Sequence, residues 1–277
     1  MANGPVTSRV LLGFELRQLR EAAAMNIDTV ADRTGWFASK IYRSERGEGA
    51  LRAAEIDELL HLYSASAADA ERIREIGVQA RRRGSYGKVP EWTRQYYGLE
   101  QDASELRVHQ GELIPGLIQT EAYARALLST SKTMAPVDVE DAVLVRLRRQ
   151  SRLTEPNPPK VHVVLGEAAL CREVGGPDAL RGQIDHLIEV AKLPNLTLQV
   201  LPFAAGAYAA LGDGFTLLKV DIGDAPVTWV YLASLVGGKC RNEPTPVRTY
   251  ELAFATLMGE ALSEADSLTL LKRARRR

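Results

Sequence analysis

The sequence predicts a mixed α+β protein, an all-α head followed by a mixed α/β body. Three features carry that expectation. Apolar residues recur at helical spacing through the first eighty of 277 residues. A stretch rich in cations and glycine then interrupts the chain at 81–90. Short strand-like apolar runs, set among helical patterns, begin only after residue 96.

In chain order, Leu12, Leu16 and Leu19 at i, i+4 and i+7 predict a helix over 10–23. Met25 to Ile27 interrupts it, with Asn26 as N-cap of a short second helix that ends at Gly35, a residue able to take the left-handed C-cap conformation. A third helix covers 38–46 and stops before Gly47 and Gly49; a fourth covers 52–63, with Ile56, Leu59, Leu60 and Tyr63 on one face; a fifth covers 69–82. Beyond the junction, strands are expected at 105–114, 161–165, 196–201, 215–220 and 227–232, and helices at 119–129, 138–154, 178–192 and 244–262. The expected division is a helical head over 1–80, a basic linker over 81–95, a regulatory body over 96–271 and a basic tail over 272–277. Charge runs at chain ends are usually solvated and disordered, which is the expectation for this tail.

Lys+Arg and Asp+Glu both number 35. A zero sum excludes coating nucleic acid or an acidic membrane by bulk charge, but not a local basic patch. Residues 1–90 hold 14 basic and 12 acidic side chains, 91–271 hold 16 and 23, and the last six residues add five cations. Cys171 and Cys240 are too few for a disulfide framework or a structural zinc site. The first ten residues lack the apolar core of a signal peptide, and no apolar run approaches the ~18–20 residues of a spanning helix. A cytoplasmic protein with no membrane partner is expected.

The two short helices around Gly35-Trp36-Phe37 fit helix-turn-helix geometry, in which the second helix enters the major groove of double-stranded DNA. Val30 and Ile41 are apolar where a core would lie, Ala31 is small where the helices would cross, and Ser39, Lys40 and Arg43 fall on the other side of the third helix. The strings Leu16-Arg17-Gln18-Leu19-Arg20-Glu21, Val30-Ala31-Asp32-Arg33-Thr34-Gly35-Trp36 and Ser39-Lys40-Ile41, leading to Glu45-Arg46-Gly47, resemble the helix-turn-helix of the XRE (lambda repressor-like) regulators in their actinobacterial form. That resemblance implies a structural ion pair between Arg20 and Glu45. It implies base reading by Ala38, Ser39 and Arg43, and backbone or flanking contacts from Asn26, Ile27, Phe37, Lys40 and Arg46. Arg43 can grip a guanine edge with two hydrogen bonds, worth about 1–3 kcal/mol of discrimination. The sequence departs from the family at Ile27, where a phosphate-anchoring glutamine is usual, and at Ser44, where an apolar residue is usual.

In the body, Tyr97-Gly98-Leu99-Glu100, Ile114-Pro115-Gly116-Leu117-Ile118-Gln119-Thr120-Glu121-Ala122-Tyr123, Gln199-Val200-Leu201-Pro202-Phe203 and Gly214-Phe215-Thr216-Leu217-Leu218 resemble the domain of unknown function (DUF5753 type) of WhiJ-like regulators. The resemblance implies a regulator of development or antibiotic production, in some cases with a small partner protein encoded nearby. No catalytic residues, metal ligands or cofactor are expected: the four histidines are scattered, and neither a phosphate-loop glycine pattern nor a nucleophile-elbow serine is present. His162 reads as a partly buried strand residue. The small, apolar run 201–212 either walls a ligand pocket or bridges two strands on the core. One short recognition helix reads few bases, so a homodimer is expected. The rival reading is a protein-interaction adaptor whose helix-turn-helix has lost DNA binding, with Ile27 and Ala38 as its best support.

Overall fold

The computed structural model describes residues 4–82, 84, 91–132, 134–222, 225–235 and 237–276. Much of the expected linker, including Arg83 and Lys88, lies outside the described residues, as does Arg277. The chain divides into two compact units, Met1–Ser85 with Asp221–Pro226, and Tyr86–Val220 with Val227–Arg277.

The first unit holds α1 (Pro5–Ala22), α2 (Ile27–Thr34), α3 (Ala38–Glu45), α4 (Ala53–Leu62) and α5 (Ala67–Ala80). Helix α1 starts five residues before the expected position, because Pro5, whose fixed φ suits the first helical turn, opens it and Val6 and Val10 extend its buried face. Leu12, Leu16, Val30, Ile41, Ile56, Leu59, Leu60 and Ile73 form one core, on which α1, α4 and α5 converge. The α2–α3 turn is fixed locally. Asn26 Oδ1 accepts from Thr29 N at 2.8 Å to cap α2, and Gly35 closes the helix at φ 69°, a left-handed conformation that costs glycine nothing.

The second unit holds α6 (Glu91–Asp102), β1 (Ala103–Gln110), α7 (Glu121–Leu128), α8 (Pro136–Gln150), β2 (Lys160–Gly166), α9 (Pro177–Val190), β3 (Leu196–Leu201), β4 (Phe215–Ile222), β5 (Ala225–Ser234), β6 (Gly237–Arg241), α10 (Pro244–Glu260) and α11 (Glu264–Ala274). Its sheet runs in the order β3-β2-β1-β4-β5-β6. Strands β1, β2 and β3 are parallel, joined by helical crossovers; β4 is antiparallel to β1 and β6 to β5. Phe215, Leu217, Val164 and Leu201 pack with Phe254 and Leu257 of α10. Helix α11 packs on β3 and α9.

Three elements differ from expectation. Gly237-Gly238 begins strand β6, which the expected set of strands lacks: Gly238 pairs with Ala233, and a Cβ there would meet the Tyr231 hydroxyl at 2.5 Å. Helix α6 starts at Glu91, inside the expected linker. The first half of the expected basic tail is not a solvated end but the last turn of α11, anchored by buried Ser267 and Leu271, with Arg275 paired to Asp185 just beyond it.

Candidate functional site

Helix α3 is presented outward because its inner side is held at three points. Gly13 of α1 lies so close that a Cβ there would meet the carbonyl oxygens of Ser44 and Glu45 at 2.5 Å. Arg20 Nε and Nη2 reach Glu45 Oε1 and Oε2 at 2.6 and 3.0 Å, while Nη1 donates to Met25 O at 2.7 Å, so one guanidinium ties α1 to the end of α3 and to the loop before α2. The Glu45 carboxylate raises the Arg20 pKa further. Ile41 is buried beneath, and Ser44, the polar departure, satisfies its hydroxyl on Ile41 O at 2.8 Å.

What faces outward is a stripe. Ser39, Tyr42 and Arg43 stand at i, i+3 and i+4 on one face of α3, and Arg46 follows at i+7 as its C-cap. Ser39 and Tyr42 are exposed, the Arg43 side chain is 66% exposed, and Phe37, at the N-cap, is 84% exposed. Arg43 approaches Glu48 only to 3.9 Å, whereas Arg46, largely covered, donates to Glu48 Oε1 at 2.8 Å and to the Tyr42 hydroxyl at 3.2 Å.

The remaining expected site residues are placed differently. Ala38 is half-buried. Ile27 packs against the head core. Asn26 is exposed and uses its side-chain oxygen as a cap, accepting from Thr29 Oγ1 at 2.9 Å as well. Lys40 is turned inward: its Nζ lies 3.5 Å from the Trp36 ring centroid and 2.9 Å from Glu55 Oε1. Glu55 also receives Arg52 Nη2 at 2.8 Å and the Arg52 backbone N–H at 2.7 Å. The Arg52 hydrogen bond, followed by that of Lys40, pulls the Glu55 carboxyl down to about 2. Sequence reasoning missed Tyr42 and Glu55. The helical spacing from Ser39 would have found Tyr42; nothing local points to a partner fifteen residues from Lys40.

The second unit carries a crevice of about 620 Å³ at the carboxyl ends of the parallel strands, where open α/β sheets commonly bind ligands. The 201–212 run lines it with Pro202, Phe203 and Tyr208, while Leu201 and Ala210 join the core, so the segment both walls a crevice and packs inward. Arg172 and Glu112 form an ion pair within the lining, and Glu167 Oε2 accepts from Phe203 N at 2.9 Å. Beneath it, fully buried His109 bonds through Nδ1 to Val164 O at 3.1 Å, and burial lowers its pKa. His162 is half-buried on β2. Among the described residues no group of three or more His, Cys, Asp or Glu is arranged to hold a metal, and no helix is long and apolar enough to cross a membrane.

A five-helix unit that presents α3 from a two-helix turn, followed by a mixed sheet domain with a crevice at its strand ends, defines a two-part helix-turn-helix protein. A family model described as "Helix-turn-helix domain" matches residues 11–73, and one described as "Domain of unknown function (DUF5753)" matches residues 93–273. The chain belongs to the DUF5753 family. No curated protein and no solved structure matches it.

Proposed function

We propose that this chain is a sequence-specific DNA-binding transcriptional regulator of the actinobacterial, WhiJ-like kind, acting in the cytoplasm on the nucleoid as a homodimer. In this reading it controls development or secondary metabolism, and its DUF5753 body senses a small molecule or a partner protein. The observation that carries the reading is the outward stripe of α3. Helix-turn-helix proteins set such a face in the major groove, and a second copy reads a half-site one helical turn, about 34–36 Å, or a multiple away. Ser39 and Arg43 are the proposed base readers, with Tyr42 beside them; Ala38, half-buried, is left an apolar contact at most.

Footprinting of the full chain on genomic fragments, including its own upstream region, tests the reading. Specific protection with a two-fold repeat is expected. Arg43→Ala should lose about 1–3 kcal/mol, and with it the preference at one base position of each half-site. Equal affinity of the variant for all sequences that the native chain binds would remove Arg43 as a reader.

The adaptor reading draws on Phe37 and Tyr42, two exposed aromatics at α3 that would suit a protein surface. A salt-insensitive partner complex, in the absence of any specific DNA protection, would favour it.

A further inference from the structure

A second cavity of about 280 Å³ lies in the body, walled by α6, α8, the 111–119 loop and the sheet. Its lining is largely aromatic and apolar. Tyr96 stacks on Tyr231 with ring centroids 4.1 Å apart and planes 19° from parallel, beside Tyr97 and Phe215. Its charged lining residues are Glu100, Arg146 and Arg149, a net of one positive charge. Arg149 is fully employed: Nε and Nη2 meet Glu100 Oε1 and Oε2 at 2.6 and 2.7 Å, and the guanidinium carbon sits 3.9 Å from the Tyr97 ring centroid. Tyr96 closes the remaining side of Glu100 with its hydroxyl at 2.6 Å.

Among the described residues Arg146, one turn earlier on α8, forms no ion pair or hydrogen bond with a carboxylate. Its Nη1 donates to the neutral Gln119 Oε1 at 2.5 Å, and its Nε, withdrawn from water, meets no acceptor. Burial lowers its pKa, the mark of a cation held away from solvent. Buried charges are ordinarily paired, and an unpaired guanidinium edge beside an apolar cavity is the usual receptor for a planar carboxylate.

We propose that this cavity binds a small organic monocarboxylate, its apolar or aromatic body against the tyrosine wall and its carboxylate at Arg146. The charge count selects a monoanion, since a phosphate dianion would leave an uncompensated negative charge. Gln110, Leu113 and Gly214 line both this cavity and the strand-end crevice, so the two share a wall. The proposal rests on the reading of the body as a sensor and names the ligand class it would sense.

Thermal melting of the full chain with benzoate and phenylacetate, against their neutral amides benzamide and phenylacetamide, is the test. The carboxylates should raise Tm saturably and the amides should not. Arg146→Gln should weaken the carboxylate effect by about tenfold or more, whereas Arg148→Gln, exposed on the same helix, should leave it intact. Absence of a saturable carboxylate effect, an equal effect of the amides, or full retention in Arg146→Gln would overturn the proposal. The amide contrast in the native chain decides the matter even if Arg146→Gln does not fold. DNA affinity measured with the bound carboxylate separates the two readings. Arg146-dependent binding that leaves DNA affinity unchanged overturns small-molecule sensing at this site but not the site itself. Failed carboxylate binding overturns the site and leaves sensing at the strand-end crevice untouched.

Discussion

Replacing Glu45 by alanine tests how far the presentation of α3 depends on one buried ion pair. Glu45 closes α3 and binds Arg20 through both carboxylate oxygens, with the two side chains only 8% and 10% exposed. Removing one partner of a buried pair strands the other charge and costs about 3–5 kcal/mol. Arg20 would keep its bond to Met25 O, at 2.7 Å, and a looser approach to Glu21 Oε1, at 3.6 Å, so the loss should fall at the lower end of that range. Against a total stability of about 5–15 kcal/mol it is a large fraction, and it corresponds to a rise of about a hundredfold or more in the opening equilibrium. Native-state hydrogen exchange of the α1 and α3 amides reads that opening directly and does not require the two units to unfold together. The apolar double replacement Arg20→Met with Glu45→Leu should be less destabilised than Glu45→Ala alone, because it buries no stranded charge. Exchange in α3 that rises less than about fivefold in Glu45→Ala, or a double variant equal to the sum of its singles, would refute the reasoning.

Two further outcomes follow from the same unit. Gly13→Ala places a methyl group 2.5 Å from two backbone carbonyl oxygens, which cannot rotate away. The α1–α3 contact must widen, costing about 1–3 kcal/mol, and an unchanged melting temperature would show that the contact is softer than drawn. Glu55, held down to about 2 by Arg52 and Lys40, ionises below its unfolded value of 4.5. Its contribution to head stability is therefore fully present above the unfolded pKa and is lost as pH falls through about 2. Acid titration of α4 exchange rates should show that loss in the native chain and not in Glu55→Gln.

The head was largely readable because its signal is local. Leu16, Ile41, Ile56 and Leu59 repeat at helical spacing, and Asn26 and Gly35 punctuate the helices by chemistry that acts over three or four residues. The Arg20–Glu45 pairing came from resemblance, since spacing does not bring together residues twenty-five apart. In the body, elements with polar buried faces escaped. Helix α6 buries Thr93 and Glu100 as well as Leu99, so a count of apolar positions finds no stripe. Helix α11 was hidden by the cations at its end, although Ser267 and Leu271 lie four residues apart in the interior. Nothing in the local pattern of α8 separates Arg146 from Arg149, and only the fold brings Glu100, nearly fifty residues away, to one of them and not to the other.

The charge sum has a similar hidden structure. Residues 1–90 hold 14 cations, but many are already committed to intramolecular pairs: Arg17 to Glu21, Arg20 to Glu45, Lys40 and Arg52 to Glu55, Arg46 to Glu48, Arg72 to Glu15 and Arg74 to Asp57. Arg43, with its loose 3.9 Å approach to Glu48, is the α3 cation with most charge to offer. Under the proposed function, a single head then neutralises few phosphates. Each phosphate contact contributes about −0.9 to the slope of log affinity against log salt. A head meeting two phosphates would show a slope near −2 and a pair of heads near −4, on the same arithmetic. The native chain on its operator should give the steeper value, and a half-site duplex the shallower one. A slope as steep as about −8 would mean that cations now in ion pairs, Lys40 first among them, are released to DNA, and the face drawn for α3 would have to be redrawn around them.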